Sequence, residues 1–351
     1  MIARRMPDRG GRSLARVLGA LAVMAGSIGG GACGGGGNDQ PDAGGGPVDA
    51  PPPPPWWQPK IGTVKNWDIQ LVAPIDLSTP RVMYDLDLWS VVPAATTLDY
   101  GDGAPVTVPA GTLATAIAQL HATTPPTKVV CHFDTGMLDL SLPDAPKFPG
   151  YHANPAMIPD QAPPEPGSAI GWRVGATQKR WLDLRTASRA AWTPILFKRF
   201  ALAKQIGCDG IDTDGNSAGG TSDPAGLTGF AITAGDSLTW FTAIATEGHK
   251  QELSTGMRDG DSLASQIDAN ADNFDWEIIE RCGEPGFEDC GVTRPFVNEQ
   301  KAVFAIDYDH DLVGDPQTSV GVCQAQGQAM IADGIFKDFP PSAKVRTQCQ
   351  P

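Results

Sequence analysis

The sequence predicts an α/β protein folded as a single (β/α)8 TIM barrel, and three observations carry that prediction. Short apolar, β-branched runs alternate with helical patterns from Trp57 onward. Eight such runs fit into about 290 residues, near the barrel's usual size of about 250. The first run, Trp67–Leu71, is followed by no Gly-rich phosphate loop, which a doubly wound open sheet would show there.

Strands are predicted at Trp67–Leu71, Val82–Leu86, Lys128–Phe133, Gly210–Asp212, Leu253–Met257, Phe274–Ile279, Ala302–Ile306 and Gly334–Phe336. Their alternation with helices calls for parallel pairing through crossovers. The helix Thr112–His121 sets Leu113, Ile117 and Leu120 on one face. Thr193–Ile206 does the same with Leu196, Phe200 and Leu202, and Asp236–Lys250 with Leu238, Phe241, Ile244 and Ala245. Val320–Ile331 is the fourth.

The domain organisation has three parts: a signal peptide at 1–33 with a lipobox-like end, a disordered Gly/Pro-rich linker at 34–55, and the barrel at 56–351. Arg4, Arg5, Arg9, Arg12 and Arg16 precede the apolar run Val17–Ala25, and small residues then end at Gly31-Ala32-Cys33. This resembles a bacterial lipoprotein signal, with Cys33 as the lipidated residue. It places the protein at the outer membrane or cell surface; plain secretion is the alternative. From Gly34 to Pro55 there is no apolar periodicity, and Pro51–Pro55 stiffen the end of a spacer.

Hydrophobic residues at 41% and charged residues at 19% suffice for a buried core. With 40 acidic against 26 basic residues the net charge is −14, which excludes a nucleic-acid partner. No later apolar run is long enough to span a bilayer, so membrane contact comes only through the N-terminal lipid. In an oxidising compartment Cys282 pairs with Cys290 and Cys323 with Cys349, each with its neighbour in sequence. Cys131 and Cys208 lie in strand-like segments and are expected as buried thiols. No spacing resembles a zinc site, and no metal is expected.

The strand ends carry the chemistry. Asp85 and Asp87 close the second strand, His132 and Asp134 the third, Asp212 and Asp214 the fourth, Arg258 and Asp259 the fifth, Glu280 the sixth, and Asp307 and Tyr308 the seventh. In a barrel these ends open onto one face, where active sites are built. Any single acid there is as readily a helix cap, but the set points to an acidic cleft. Two carboxyl groups, one protonated and one ionised, are what glycoside hydrolysis needs. Asp212, Asp214 and Glu280 offer such a pair or trio across the barrel mouth. Asp85, Asp87, His132, Asp134, Arg258, Asp259, Asp307 and Tyr308 are the expected substrate contacts. Trp89 and Trp172, in βα loops, are candidate platforms for sugar rings. Asp212-x-Asp214-x-Asn216 and Asp307-x-Asp309-x-Asp311 mimic the start of a calcium loop. Ser217 and Leu312 stand where its sixth-position Gly belongs. No H-E-x-x-H and no G-x-S-x-G occurs.

The order of these segments carries a family resemblance over the whole folded part. Trp67-x-Ile69-Gln70-Leu71, Tyr84-Asp85-Leu86-Asp87, Arg180-Trp181-Leu182-Asp183-Leu184-Arg185, Asp209-Gly210-Ile211-Asp212-Thr213-Asp214 and Glu280-x-Cys282 resemble glycoside hydrolase family 114, the endo-α-1,4-polygalactosaminidases. The resemblance implies a (β/α)8 barrel that cleaves α-1,4-linked galactosamine-rich exopolysaccharide without a cofactor. It places the catalytic acids in the Asp209–Asp214 motif and at Glu280, which makes Asp212 and Glu280 the expected catalytic pair with Asp214 the alternate for Asp212, and it supports the Cys282–Cys290 pairing. Thr213, Gly215 and Ile279 stand where that family has Pro, Asn and Asn, and His132 and Asp134 where it has Tyr and Ser. Asp307 stands where it has Glu. The departures at Ile279 and Gly215 keep open a barrel that binds polysaccharide without cutting it, and a hydrolase of a different glycan is a further alternative.

Overall fold

A computed structural model describes residues 53–220, 223–258, 264–287, 289–310 and 314–349 of the protein. The signal segment 1–33 with Cys33, the linker up to residue 52, and Asp259 lie outside the described residues.

Eight parallel strands follow one another round the sheet in chain order. They are β1 (Trp67–Gln70), β2 (Met83–Asp87), β3 (Lys128–Asp134), β4 (Gly210–Asp214), β5 (Ser254–Met257), β6 (Trp276–Glu280), β7 (Ala302–Tyr308) and β8 (Ile335–Lys337). Each coincides with a predicted strand. A ninth, β9 (Arg346–Gln348), runs antiparallel along β8. The edges of the sheet are brought together by side chains. Arg346 Nε donates to Trp67 O at 2.8 Å, and buried Lys337 Nζ reaches Asp68 Oδ1 at 2.8 Å. This is the predicted TIM-barrel architecture.

The period-two alternation of a strand divides the core in two. Trp67, Ile69, Met83, Val130, Trp276, Ile278, Phe304, Ile306 and Ile335 pack together inside the barrel. Cys131, Phe133, Ile211, Met257, Ile279 and Val303 face the helical shell. Four helices correspond to the predicted ones: α1 (Ala116–His121), α2 (Thr193–Ile206), α3 (Ala234–Lys250) and α4 (Ser319–Gln328). Helix α3 starts two residues early because Thr233 caps it. Its Oγ1 accepts from Asp236 N while the Asp236 carboxylate accepts from Thr233 N, a reciprocal capping box. Helix α2 ends at Gly207, whose φ of +99° closes the last turn at low steric cost.

Two excursions were not predicted. Thr96–Leu98 and Val106–Val108 pair as a hairpin, and Met137–Asp139, Lys179–Leu182 and Ile170–Arg173 form a three-stranded sheet between β3 and β4. Their strands are three or four residues long, too short for a pattern to register. The second excursion is tied to the barrel by buried Arg199 of α2. Its guanidinium donates to both Asp144 oxygens, at 2.8 and 3.0 Å, and to Asp134 O at 3.1 Å.

The Cys282–Cys290 and Cys323–Cys349 disulfides are present, with Cα atoms 4.7 and 5.0 Å apart. The expectation of free thiols at Cys131 and Cys208 is corrected. Their Cα atoms are 6.0 Å apart and the sulfurs are bonded. Cys131 faces the shell from β3, and Cys208 lies on the approach to β4, its neighbour in the sheet. A separation of 77 residues conceals that adjacency in the sequence. Closing so long a loop restricts the unfolded chain most. Replacing Cys131 and Cys208 by Ala should lower the unfolding free energy by about 4 kcal/mol, against about 2.5 kcal/mol for the short Cys282–Cys290 loop. Denaturant unfolding of the two double variants checks the order.

Candidate active site

A cleft of about 550 Å³ lies over the C-terminal ends of the strands. Asp87, His132, Asp134, Asp214, Arg258, Glu280 and Tyr308 line it, with Asp139 and Lys179 from the three-stranded excursion. Trp89, Leu71, Val72, Leu142, Phe339, Pro340 and Pro341 supply apolar walls. Every barrel-strand side chain just named, counted along its strand, shares the inward parity of the barrel core. Like Asp139, Lys179 is not among the site residues the sequence predicts, since it belongs to an excursion strand with no pattern of its own. Its only sequence signal is its place beside Arg180-Trp181.

Arg258 is the hub. Its side chain is nearly fully buried where the chain leaves β5. Nη1 donates to Asp212 Oδ2, and Nη2 to Glu280 Oε1 at 2.7 Å. Nε stands 3.7 Å from Asp214 Oδ1. Burial acts to lower the guanidinium pKa, but the charges of Asp212, Glu280 and Asp214 outweigh it and hold it well above its usual value. Tyr308, last residue of β7, donates its hydroxyl to the same Glu280 oxygen, and burial pushes its phenol pKa well up.

The two aspartates of β4 occupy different levels. Asp214 is 23% exposed on the cleft wall, and Glu280 is 28% exposed. Asp212 is 0% exposed and lies one layer below, behind Arg258 and His132. His132, its register partner on β3, places Nδ1 2.7 Å from Asp212 Oδ2 and Nε2 3.4 Å from Asp214 Oδ2. Burial works to raise the Asp212 pKa, but Arg258 and His132 outweigh it, so the group stays an ionised carboxylate.

Asp85 lies deeper still. It is fully buried on the inner side of β2, and neither oxygen meets a donor among the described residues. Burial first, then the charge of Asp212, push its pKa well up. Asp85, His132 and Asp212 bring one ligand-type atom each to within 4.8 Å of one another. The guanidinium of Arg258 already supplies positive charge against Asp212, so the cluster is read as an ion-pair network.

Asp134 pairs with Lys179 Nζ at 2.7 Å, and Asp87 accepts from Ser90 N and Oγ at 2.8 Å. Trp89 reaches the cleft wall; Trp172 instead donates to Ala162 O at 2.8 Å and is not part of that wall. Asp307 is not brought to the cleft. It has the opposite parity to Tyr308 and faces the shell, accepting from Gly283 N at 2.9 Å and Gln326 Nε2 at 2.5 Å. Ile279 likewise packs in the shell core. Gly215 sits at φ +81°, and a Cβ there would lie 3.0 Å from Met137 Cγ, which explains a glycine after Asp214.

Residues 47–349 match the family model of glycoside-hydrolase family GH114. The chain belongs to family GH114. It is a glycosidase, as the carboxylate-lined cleft at the barrel mouth suggests on its own. Among solved structures this GH114 chain is similar to Aspergillus fumigatus Ega3, determined in complex with galactosamine. The two share 22% identity with a TM-score of 0.58, over 84% of this chain and 97% of that one. Bacillus licheniformis trehalose-6-phosphate hydrolase (TreA) aligns at 10% identity and TM-score 0.38, over 69% and 57% of the two chains. No curated protein sequence matches the chain.

Asp307 generates a stability prediction. Burial, the largest effect, raises its pKa to about 6 from 3.8. The folded state therefore binds the proton more tightly than the unfolded state. That contribution is present below pH 3.8 and lost as pH rises through 6. Asp307→Asn should leave stability nearly unchanged at pH 4 and raise it by roughly 2 kcal/mol at pH 7. The Asn amide is accommodated by turning Gln326, whose buried Oε1 meets no donor among the described residues. Denaturant midpoints at the two pH values check the difference.

Proposed function

We propose that this GH114 enzyme hydrolyses an α-1,4-linked, galactosamine-rich polysaccharide through Asp214 and Glu280, which face the cleft and share Arg258. The observation that carries the pair is exposure. Asp214 and Glu280 present carboxyl oxygens to the cleft, whereas Asp212 presents none. A group must touch the sugar to donate to the leaving oxygen or to act on the anomeric carbon and its water. Asp212 then serves as the buried anchor for His132 and Arg258.

The substrate class rests on the family, on the galactosamine bound to Ega3, and on charge. Asp87, Asp134, Asp139, Asp214 and Glu280 line the cleft against Lys179 and Arg258. That excess of acid suits the ammonium groups of a deacetylated amino-sugar polymer. The apolar walls suit sugar-ring faces, Trp89 and Phe339 above all. The two departures that prompted a binding-only reading bear little on the cleft. Ile279 packs in the shell, and Gly215 serves the turn after Asp214.

We further propose that the chain is exported and held by lipid on Cys33, with the Gly/Pro segment as spacer. Three disulfides in the barrel support an oxidising compartment. Mass spectrometry of the native N-terminus tests this; an unmodified terminus beyond Cys33 would mean plain secretion.

The central test is reducing-end release from a panel of polysaccharides. Galactosamine polymer should be cut, and Glu280→Gln and Asp214→Asn should each lower kcat by about 10³-fold. Full N-acetylation, which removes the substrate's charges, should raise KM by about tenfold or more, and added salt should erase the difference. Undiminished turnover by Glu280→Gln would overturn the assignment.

A further inference from the structure

Beneath the cleft lies a line of polar groups that the hydrolytic pair does not itself use. His132 stands between the two aspartates of β4, 2.7 Å from Asp212 and 3.4 Å from Asp214. Asp212 Oδ2 takes both the His132 contact and Arg258 Nη1, while its buried Oδ1 meets no donor among the described residues. Asp85, whose two oxygens equally meet no donor among the described residues, lies against Asp212. An ionised carboxylate so buried and unpaired costs several kcal/mol, whereas a carboxylic acid can spend its proton on the vacant Oδ1 of Asp212. A proton on Asp85 removes its buried charge and gives Asp212 Oδ1 a donor at once.

We propose that Asp85, as a neutral acid, and Asp212, as a carboxylate, hold His132 as an imidazolium positioning residue that keeps Asp214 in the ionised role. Resting on the pair proposed above, this leaves the acid role to Glu280. Each ring nitrogen of a charged imidazole is a donor, so Nδ1–H meets Asp212 and Nε2–H meets Asp214. A neutral ring would turn one lone pair toward a carboxylate.

Charge bookkeeping agrees. The groups facing His132 are Asp85 and Asp87 from β2, Asp212 and Asp214 from β4, and Arg258 beyond β5. Asp134 shares its own strand but is matched by Lys179. Burial acts to lower the imidazole pKa, and the charge and hydrogen bond of Asp212 outweigh it, so the pKa is raised. Arg258, whose Nη1 stands 3.4 Å from His132 Nδ1 and opposes a proton on the ring, is engaged with Asp212 and Glu280.

The test needs no substrate in its first arm. The full chain, labelled with ¹⁵N-histidine, is titrated by long-range ¹H–¹⁵N NMR. The His132 resonances, assigned from their loss in His132→Gln, should show a midpoint above the ordinary 6.5. Asp212→Asn should lower that midpoint by at least about one unit. A wild-type midpoint at or below 6.5, or one unmoved by Asp212→Asn, overturns the proposal. Asp85→Asn keeps a donor for Asp212 and should leave the midpoint within about half a unit. A fall of a full unit would mean Asp85 is ionised, and would overturn its assignment.

The second arm is kinetic. His132→Gln should lower kcat tenfold or more with KM changed less than threefold. A raised KM at unchanged kcat would make His132 a substrate contact and overturn the positioning role. If no polymer is cut at all, the proposed hydrolytic reading fails, while the titration still decides the state of His132.

Discussion

One buried guanidinium makes the rest of this site possible. Asp212, Asp214 and Glu280 converge on Arg258, which gives the fully buried Asp212 the cation its charge needs in a desolvated bowl. Arg258 is fixed from beneath by the barrel packing. Gly256, two residues earlier on β5, is paired in register with Asp212 on one side and Trp276 on the other. A Cβ on Gly256 would fall 2.1 Å from the Trp276 ring. The glycine therefore lets Trp276 fill the barrel interior, and the layer above it is left for charge. The apolar floor excludes water from the ion pairs, which strengthens them.

The same alternation that stacks these layers explains what was legible in the sequence. Eight apolar runs gave the eight parallel strands, because burial on both faces leaves a near-continuous hydrophobic signature. Acids and His132 at strand ends flagged one face of the barrel. What pattern alone did not separate was depth. Asp212 and Asp214 share a parity and differ only in layer, so one is buried and the other reaches the cleft. Asp307 differs from Tyr308 in parity by one position, and that step carries it from cleft to shell. The parity was available in the sequence; the layer was not, since it depends on how far each strand rises beside its neighbours.

Features that depend on neighbours in space were hidden for a related reason. Cys131 and Cys208 become adjacent only when β3 and β4 pair, with the whole second excursion between them. Lys179 reaches the cleft because that excursion folds back over the β3 end and is pinned there by Arg199. Its ion pair with Asp134 is made by a three-stranded sheet whose strands are too short to announce themselves.

Holding Glu280 still requires a second device, because it stands at the end of its strand with the chain turning away. Arg281 follows in the left-handed region, at φ +63°, a conformation that a non-glycine residue adopts only when its surroundings enforce it. The enforcement is visible. Arg281 N donates to Ile306 O at 2.7 Å, and its guanidinium meets both oxygens of buried Glu284. The same guanidinium lies 4.6 and 4.7 Å from the ring centroids of Tyr308 and Phe339. Gly283 N is bound by Asp307, and Cys282 by its disulfide to Cys290. Asp307, though turned from the cleft, thus serves it at one remove by fixing the loop behind Glu280. The strained turn leaves the carboxylate facing Tyr308 and Arg258, and the clamps behind it make that orientation cheaper to keep than to lose.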